Sequence, residues 1–410
     1  MQPTAWYRAR IAIIGTVAGL VTMTGGAAVQ ADPDPHRADL QQALDAALDR
    51  VSAPGQGVQA VLLKEGRIVW SANRGMAIMN LHPPKRVDDS TMFNYGSFGK
   101  LVLGAYTLRQ VELGKLNLDE PIAKYVGNEI AGANVVTIRM LLSHTAGYHN
   151  VYAAPETISL FAPGTEGAPI GTAPVHYDPN TPFTFEKLNA GIHEPDHPGT
   201  KFAYENTNYL VLYRVLVERL GGLDAVQRGI TEFLAAAGAA EPEDGTQITQ
   251  DRYAEHTLEN MAHGYQPLDH DRGLQDYNTA YGAIGIPVDS MGYPFGDGAF
   301  GGTALGAAQV LDALFVRGAL LQASTVAEMK KPTEQSLRTG MPYGLATMTN
   351  EFAGRTWKGH PGGFTGFTST VYTDLGTGAT LAVVTNRSGT DADSDQIWEE
   401  LAKVYTSNSR

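Results

Sequence analysis

Phe93-Asn94-Tyr95-Gly96-Ser97-Phe98-Gly99-Lys100 is the stretch on which the reading of this chain turns. Residues 101–113 after it carry apolar side chains at helical spacing and stop at Gly114, so Ser97 and Lys100 stand at the start of a helix. Three residues apart, their side chains lie one above the other on the same helix face. An amine so placed can take the proton from a hydroxyl, the activation that serine needs before it attacks a carbonyl. The other role a serine fills at such a place is that of a helix cap. A chain of this composition holds on the order of one Ser-x-x-Lys by chance, so the weight falls on what accompanies the pair.

Outward from this stretch, residues 38–51 have the apolar period of a helix. Residues 57–63 and 67–72 are β-rich runs flanking Lys64-Glu65-Gly66, hence a hairpin. Beyond Met341 strands return at 369–372 and 380–384, and residues 397–405 close the chain as a helix. Between these ends helical periods dominate, notably 206–220, which stops at Gly221-Gly222, and 304–314 after Gly301-Gly302. This pattern predicts an α/β (α+β) fold. Its sheet domain is discontinuous, built from 32–115 and 290–410 and flanked by helices, with a mostly helical domain inserted at 116–289. Residues 152–199 form an irregular Pro-, Gly- and Thr-rich insert of the kind that shapes a cleft.

The chain has 410 residues, 43% of them hydrophobic and 18% charged, enough for a substantial core. Its net charge of −13 argues against nucleic acid or an anionic membrane surface as partner. It contains no cysteine, which removes thiol nucleophiles and thiolate metal sites. His193-Glu194-Pro195-Asp196-His197 matches a zinc motif literally, but Pro195 and Pro198 oppose the helix that motif needs. No metal or cofactor is expected. Residues 1–31 read as a signal peptide: Arg8 and Arg10, an apolar run over 11–21, and Val29-Gln30-Ala31 before Asp32. Cleavage there implies a secreted or cell-envelope protein. An uncleaved 11–29 would instead be a membrane anchor, and the chain then an anchored interaction protein.

Four more segments follow Ser97 in order: residues 136–147, read as an apolar helix that ends at a glycine turn and contains Leu141-Leu142-Ser143-His144-Thr145; Tyr204-Glu205-Asn206; Gly301-Gly302-Thr303, whose glycines from 298 on read as turn geometry opening another helix; and His360-Pro361-Gly362-Gly363. Together with the first stretch and the Gly-Lys-Leu-Asn-Leu-Asp turn at 114–119, they resemble the serine β-lactamase and penicillin-recognising superfamily. The nearest branch is that of class C β-lactamases, D-Ala-D-Ala carboxypeptidases and related esterases. The resemblance runs from about Gln56 to Val404 and implies a β-lactamase/transpeptidase-like fold. By that resemblance Ser97 is the nucleophile, Lys100 its base and Tyr204 the proton relay. Asn206, His360 and Gly362 contact substrate, and the backbone N–H groups of Ser97 and Gly363 form the oxyanion hole. His144 is expected to be structural, at a helix end far from these positions. Asn206 is also a candidate N-cap for a helix from Thr207.

Two departures from the family pattern bear on substrate. Where the branch has Lys-Thr-Gly or His-x-Gly, this chain has His360, a weaker and titratable cation, and Pro361, with neither hydroxyl nor N–H. Lys358 is the nearest other charge. Glu205 adds an acid between two motif residues. The expectation is an exported serine hydrolase working through an acyl-serine on a small-molecule or peptide ester or amide, carboxypeptidase-like or esterase-like. A β-lactamase and a catalytically silent binding protein of the same fold are the alternatives.

Overall fold

A computed structural model describes residues 35–157, 185–239, 246–248, 260–267, 273–276, 300–364, 366–389 and 392–408. The leader reading of 1–31, most of the irregular insert and the domain boundary at 289/290 lie outside the described residues.

Six strands make one antiparallel sheet from both ends of the sequence. β1 (Val58–Lys64) and β2 (Arg67–Arg74) come from the N-terminal part. β3 (Met348–Phe352), β4 (Arg355–Phe364), β5 (Phe367–Asp374) and β6 (Ala379–Thr385) come from the C-terminal part. The order is β3-β4-β5-β6-β1-β2, and the seam between the two parts is the β1–β6 pairing, from Val58↔Thr385 to Lys64↔Ala379. The hairpin turn between β1 and β2 is formed by Glu65 and Gly66, both at positive φ, the backbone that matches strand twist in a two-residue loop.

The main helices are α1 (Pro35–Val51), α2 (Phe98–Glu112), α3 (Asn206–Leu220), α4 (Leu223–Ala237), α5 (Ala304–Leu311) and α6 (Ser394–Asn408). Strand alternation sends β1 to two cores. Val58, Ala60 and Leu62 join Leu44 and Leu48 of α1 and Trp398 and Leu401 of α6 on one face. Val61 and Leu63 face the larger core, with Leu101 and Leu108 of α2 and Leu210 and Leu216 of α3. The sheet is thus covered on both sides, which is why β1 reads as an almost unbroken apolar run.

Two local readings are corrected. The 136–147 stretch was expected to be one helix, but only Ile138–Leu142 is helical. His144 (φ 54°) and Gly147 (φ 84°) turn the chain out of the helix. Phe300–Gly302 is a strand rather than a turn: it pairs with Phe93–Asn94 on one side and Thr246–Ile248 on the other, directly before α5.

Candidate active site

The short strand Phe93–Asn94 brings the chain to Ser97. Tyr95 N donates to Phe300 O at 2.9 Å and the Tyr95 hydroxyl to Thr303 O at 2.5 Å. Gly96 (φ 52°) then turns the backbone into α2, in contact with the end of β4: a Cβ on Gly96 would lie 2.6–2.7 Å from Gly363 O, C and N. Only glycine permits both that turn and that approach. Ser97 occupies the N-cap position, half-buried, but its side chain makes no capping bond. Its Oγ instead accepts a hydrogen bond from Lys100 Nζ at 2.9 Å. The geometry therefore favours the nucleophile–base role over the cap.

Lys100 is completely buried. Its Nζ lies 5.3 Å from the centre of the Tyr204 ring and 5.8 Å from that of Tyr209. Tyr204 and Asn206 arrive on the segment that enters α3. The helix starts at Asn206 itself, with Glu205 in the N-cap position, so Asn206 is not the cap. Asn206 is half-buried, one turn from the rings that surround Lys100.

The register of β4 places Gly363. Leu375 N bonds to Thr356 O, so the even-numbered residues of β4 exchange bonds with β5 and the odd-numbered ones face the opposite side. On that side β3 pairs only with Arg355–Gly359. Positions 361 and 363 therefore project their backbone groups beyond the end of β3, toward the turn that carries Ser97. Pro361 loses no ladder bond there, which is how a proline fits inside this strand. The first N–H groups of α2, those of Phe98, Gly99 and Lys100, are taken by Tyr95 O, Gly96 O and Ser97 O, so none of these three is left to act beside Gly363.

His360 is not the titratable cation expected from the sequence. It is fully buried, and burial pushes its imidazole down to about 3, against the hydrogen bond to Pro361 O, with any charge on Lys100 adding to the fall. Its Nδ1–H donates to Pro361 O at 2.5 Å, so Nε2 accepts from the Tyr343 hydroxyl at 3.1 Å. Lys358 shares the strand face of His360 and is also buried. Its Nζ donates to Lys330 O at 2.7 Å and to Thr349 Oγ1, capping the last carbonyl of the helix Ala323–Lys330. It does not stand in for the missing cation.

His144 is the residue that sequence reasoning put in the wrong place. Its buried ring lies against Tyr204, centroids 4.3 Å apart and planes tilted by 35°, and 5.1 Å from Tyr209 and 4.9 Å from Tyr343. Sixty residues of sequence hide this contact, and only the run Leu141-Leu142-Ser143-His144-Thr145 hinted at it. His193-Glu194-Pro195-Asp196-His197 forms no helix, and no group of three or more metal-ligating side chains occurs among the described residues.

A serine bonded to a buried lysine, with a tyrosine ring over that lysine, stands at the start of a helix packed on an α/β sheet, an arrangement suited to serine hydrolase chemistry. The family model described as Beta-lactamase matches residues 40–406, and the chain belongs to that family. By family it is a β-lactamase-like serine hydrolase. Esterase EstB of Burkholderia gladioli is 31% identical over 117 residues, 27% of this chain and 29% of that enzyme's length. Among solved structures, a D-stereospecific amidohydrolase from Streptomyces sp. superposes with a TM-score of 0.66 at 23% identity, covering 91% of this chain and 98% of that one. The D-amino acid amidase of Ochrobactrum anthropi SV3, complexed with L-phenylalanine amide, gives 0.68 at 21% identity, over 91% and 100%.

Proposed function

We propose that this protein hydrolyses esters or amides through an acyl-Ser97 intermediate, on substrates with no free carboxylate beside the scissile bond. The observation that carries the reaction is the 2.9 Å contact between Ser97 Oγ and the buried Lys100 Nζ. Lys100, in its neutral amine form, takes the hydroxyl proton as Oγ bonds to the carbonyl carbon. The carbonyl oxygen, now negative, lies between the N–H groups of Ser97 and Gly363. Tyr204, over Lys100, passes a proton to the leaving amine or alcohol as the tetrahedral adduct collapses. Water then attacks the acyl group, the same groups working in reverse, and releases the acid.

The neutral, buried His360 supports the substrate restriction, because the position that meets a carboxylate in the family's Lys-Thr-Gly form carries no charge here. That weighs against penicillins and against peptides ending in a free carboxylate. The esterase and the amidases with which the chain shares sequence or fold make esters and amino-acid amides the first compounds to try. Residues 1–31, with a charged start, an apolar run and a small-residue end, support export with cleavage before Asp32. N-terminal sequencing of the mature protein reads that cleavage.

The test compares an activated phenyl ester, a D-amino acid amide, a fluorescent penicillin and a D-Ala-D-Ala peptide on the wild type and on Ser97→Ala. The ester and the amide should be turned over and leave a mass adduct on Ser97, with the variant lower by a factor on the order of 10³ or more. Equal labelling of wild type and variant by every probe would remove the acyl-serine reading. Faster acylation by the penicillin than by the ester would remove the substrate restriction.

A further inference from the structure

We infer that His144 is the positioning residue that sets Tyr204 over Lys100, holding the Tyr204–Asn208 segment through its ring nitrogen rather than merely filling space. The inference rests on the acyl-serine reading above. Three hydrogen bonds tie His144 to this segment and the residue before it. Ala203 N donates to His144 O at 2.9 Å, Glu205 N to His144 Nδ1 at 3.2 Å, and the Asn208 side-chain amide to the same Nδ1 at 2.9 Å. Together they bracket Tyr204 and Asn206, while the imidazole lies against the Tyr204 ring.

An Nδ1 that accepts two bonds carries no proton, so the neutral ring holds its hydrogen on Nε2. The ring stays neutral first because it is buried, and any positive charge on Lys100 would push the same way. The Glu205 N–H donated to Nδ1 likewise favours the unprotonated nitrogen. The facing groups are Lys100 from α2, His360 from β4, Tyr209 from α3 and Tyr343 from the loop before β3.

His144 Nε2 is buried with no hydrogen-bond partner among the described residues. An unpaired buried donor lowers stability, so packing alone favours a phenylalanine here. A histidine is explained by what its other nitrogen does. The backbone agrees: at φ 54° an L-residue is strained, and the strain is retained where the chain must deliver this ring to the 204–208 segment.

The experiment uses His144→Asn, His144→Gln and His144→Phe in the full chain. Asparagine places an oxygen near the Nδ1 position and tolerates positive φ; glutamine is as polar but reaches past it; phenylalanine keeps the ring and loses the acceptor. With the phenyl ester, His144→Gln and His144→Phe should lower kcat by about ten-fold or more with KM within about two-fold, and His144→Asn should recover most of kcat. Thermal melts identify any variant that has simply lost its fold. Equal loss in the asparagine and glutamine variants, or no loss in either, overturns the inference. Independently of any substrate, NMR of the ring nitrogens should show the Nε2–H tautomer with no titration from about pH 5 to 8. An Nδ1–H tautomer overturns the inference even if esters prove to be the wrong substrates, and absence of Ser97 labelling in the wild type would overturn the acyl-serine reading instead.

Discussion

His360 shows how one residue's surroundings set its charge and, through it, stability. Its unfolded ring titrates near 6.5 and its folded ring near 3, so between these values the unfolded chain binds more protons. The contribution to stability is therefore complete above 6.5 and is lost as pH falls toward 3. At about pH 4.5 the loss from this ring alone is about 2.5 kcal/mol, and His144, also pushed down, acts in the same direction. A His360→Gln variant should lose less stability between about pH 7 and pH 4.5 than the wild type. Urea midpoints at the two pH values measure the difference, and equal slopes would mean that His360 is not held neutral. At this scale the sequence was a partial guide. Ser97 and Lys100 were legible because a helix couples neighbours three apart. His144 was not, because its contacts with Tyr204 and Asn208 depend on a tertiary fold that no local period encodes. His360 lies beside Tyr204 but was read as a cation, since burial is not written in a single residue's identity.

Strand β4 does its work through backbone, and glycine marks where. A Cβ on Gly362 would overlap the Tyr95 carbonyl oxygen and lie 2.6 Å from Ser369 Oγ and 2.9 Å from Phe98 N, all backbone or buried groups at the base of the Ser97 turn. At Gly363, one residue on, the same atom meets nothing within 4 Å. Gly362→Ala should thus cost about 1–3 kcal/mol by overpacking and slow Ser97 acylation. Gly363→Ala should keep its stability within about 0.5 kcal/mol. Any change that Gly363→Ala makes in rate then reads substrate space above the oxyanion site. A Gly362→Ala protein with wild-type stability and labelling rate would show that the β4–Ser97 contact is looser than described. The strands themselves were legible from β-rich runs and turn residues. What was missed was register: parity decides that Pro361 and Gly363 face Ser97, and it is set by the Thr356–Leu375 pairing across two strands.

On the scale of the whole molecule, the sheet separates two cores, and the site belongs to only one of them. α2, which carries Ser97 and Lys100, packs in the larger core. α1 and α6 close the other face around Trp398, whose Nε1 donates to Leu381 O at 3.1 Å and whose ring meets Trp357 edge-on at 4.9 Å. The joining of chain ends in one sheet was visible in the sequence as strands at both termini with helices between, and the β1–β6 seam realises it. This division makes stability and chemistry separable. Trp398→Ala empties a buried site far from Ser97 and should cost about 3–5 kcal/mol, read as a lower urea midpoint. Because β1 and β6 lie between the cavity and α2, the rate of Ser97 labelling per folded molecule should stay within about two-fold of wild type. A variant that keeps its midpoint would deny Trp398 its place in the second core. A labelling rate that falls while the protein stays folded would mean that strain crosses the sheet, and that the far helices help to hold the oxyanion site as well as the fold.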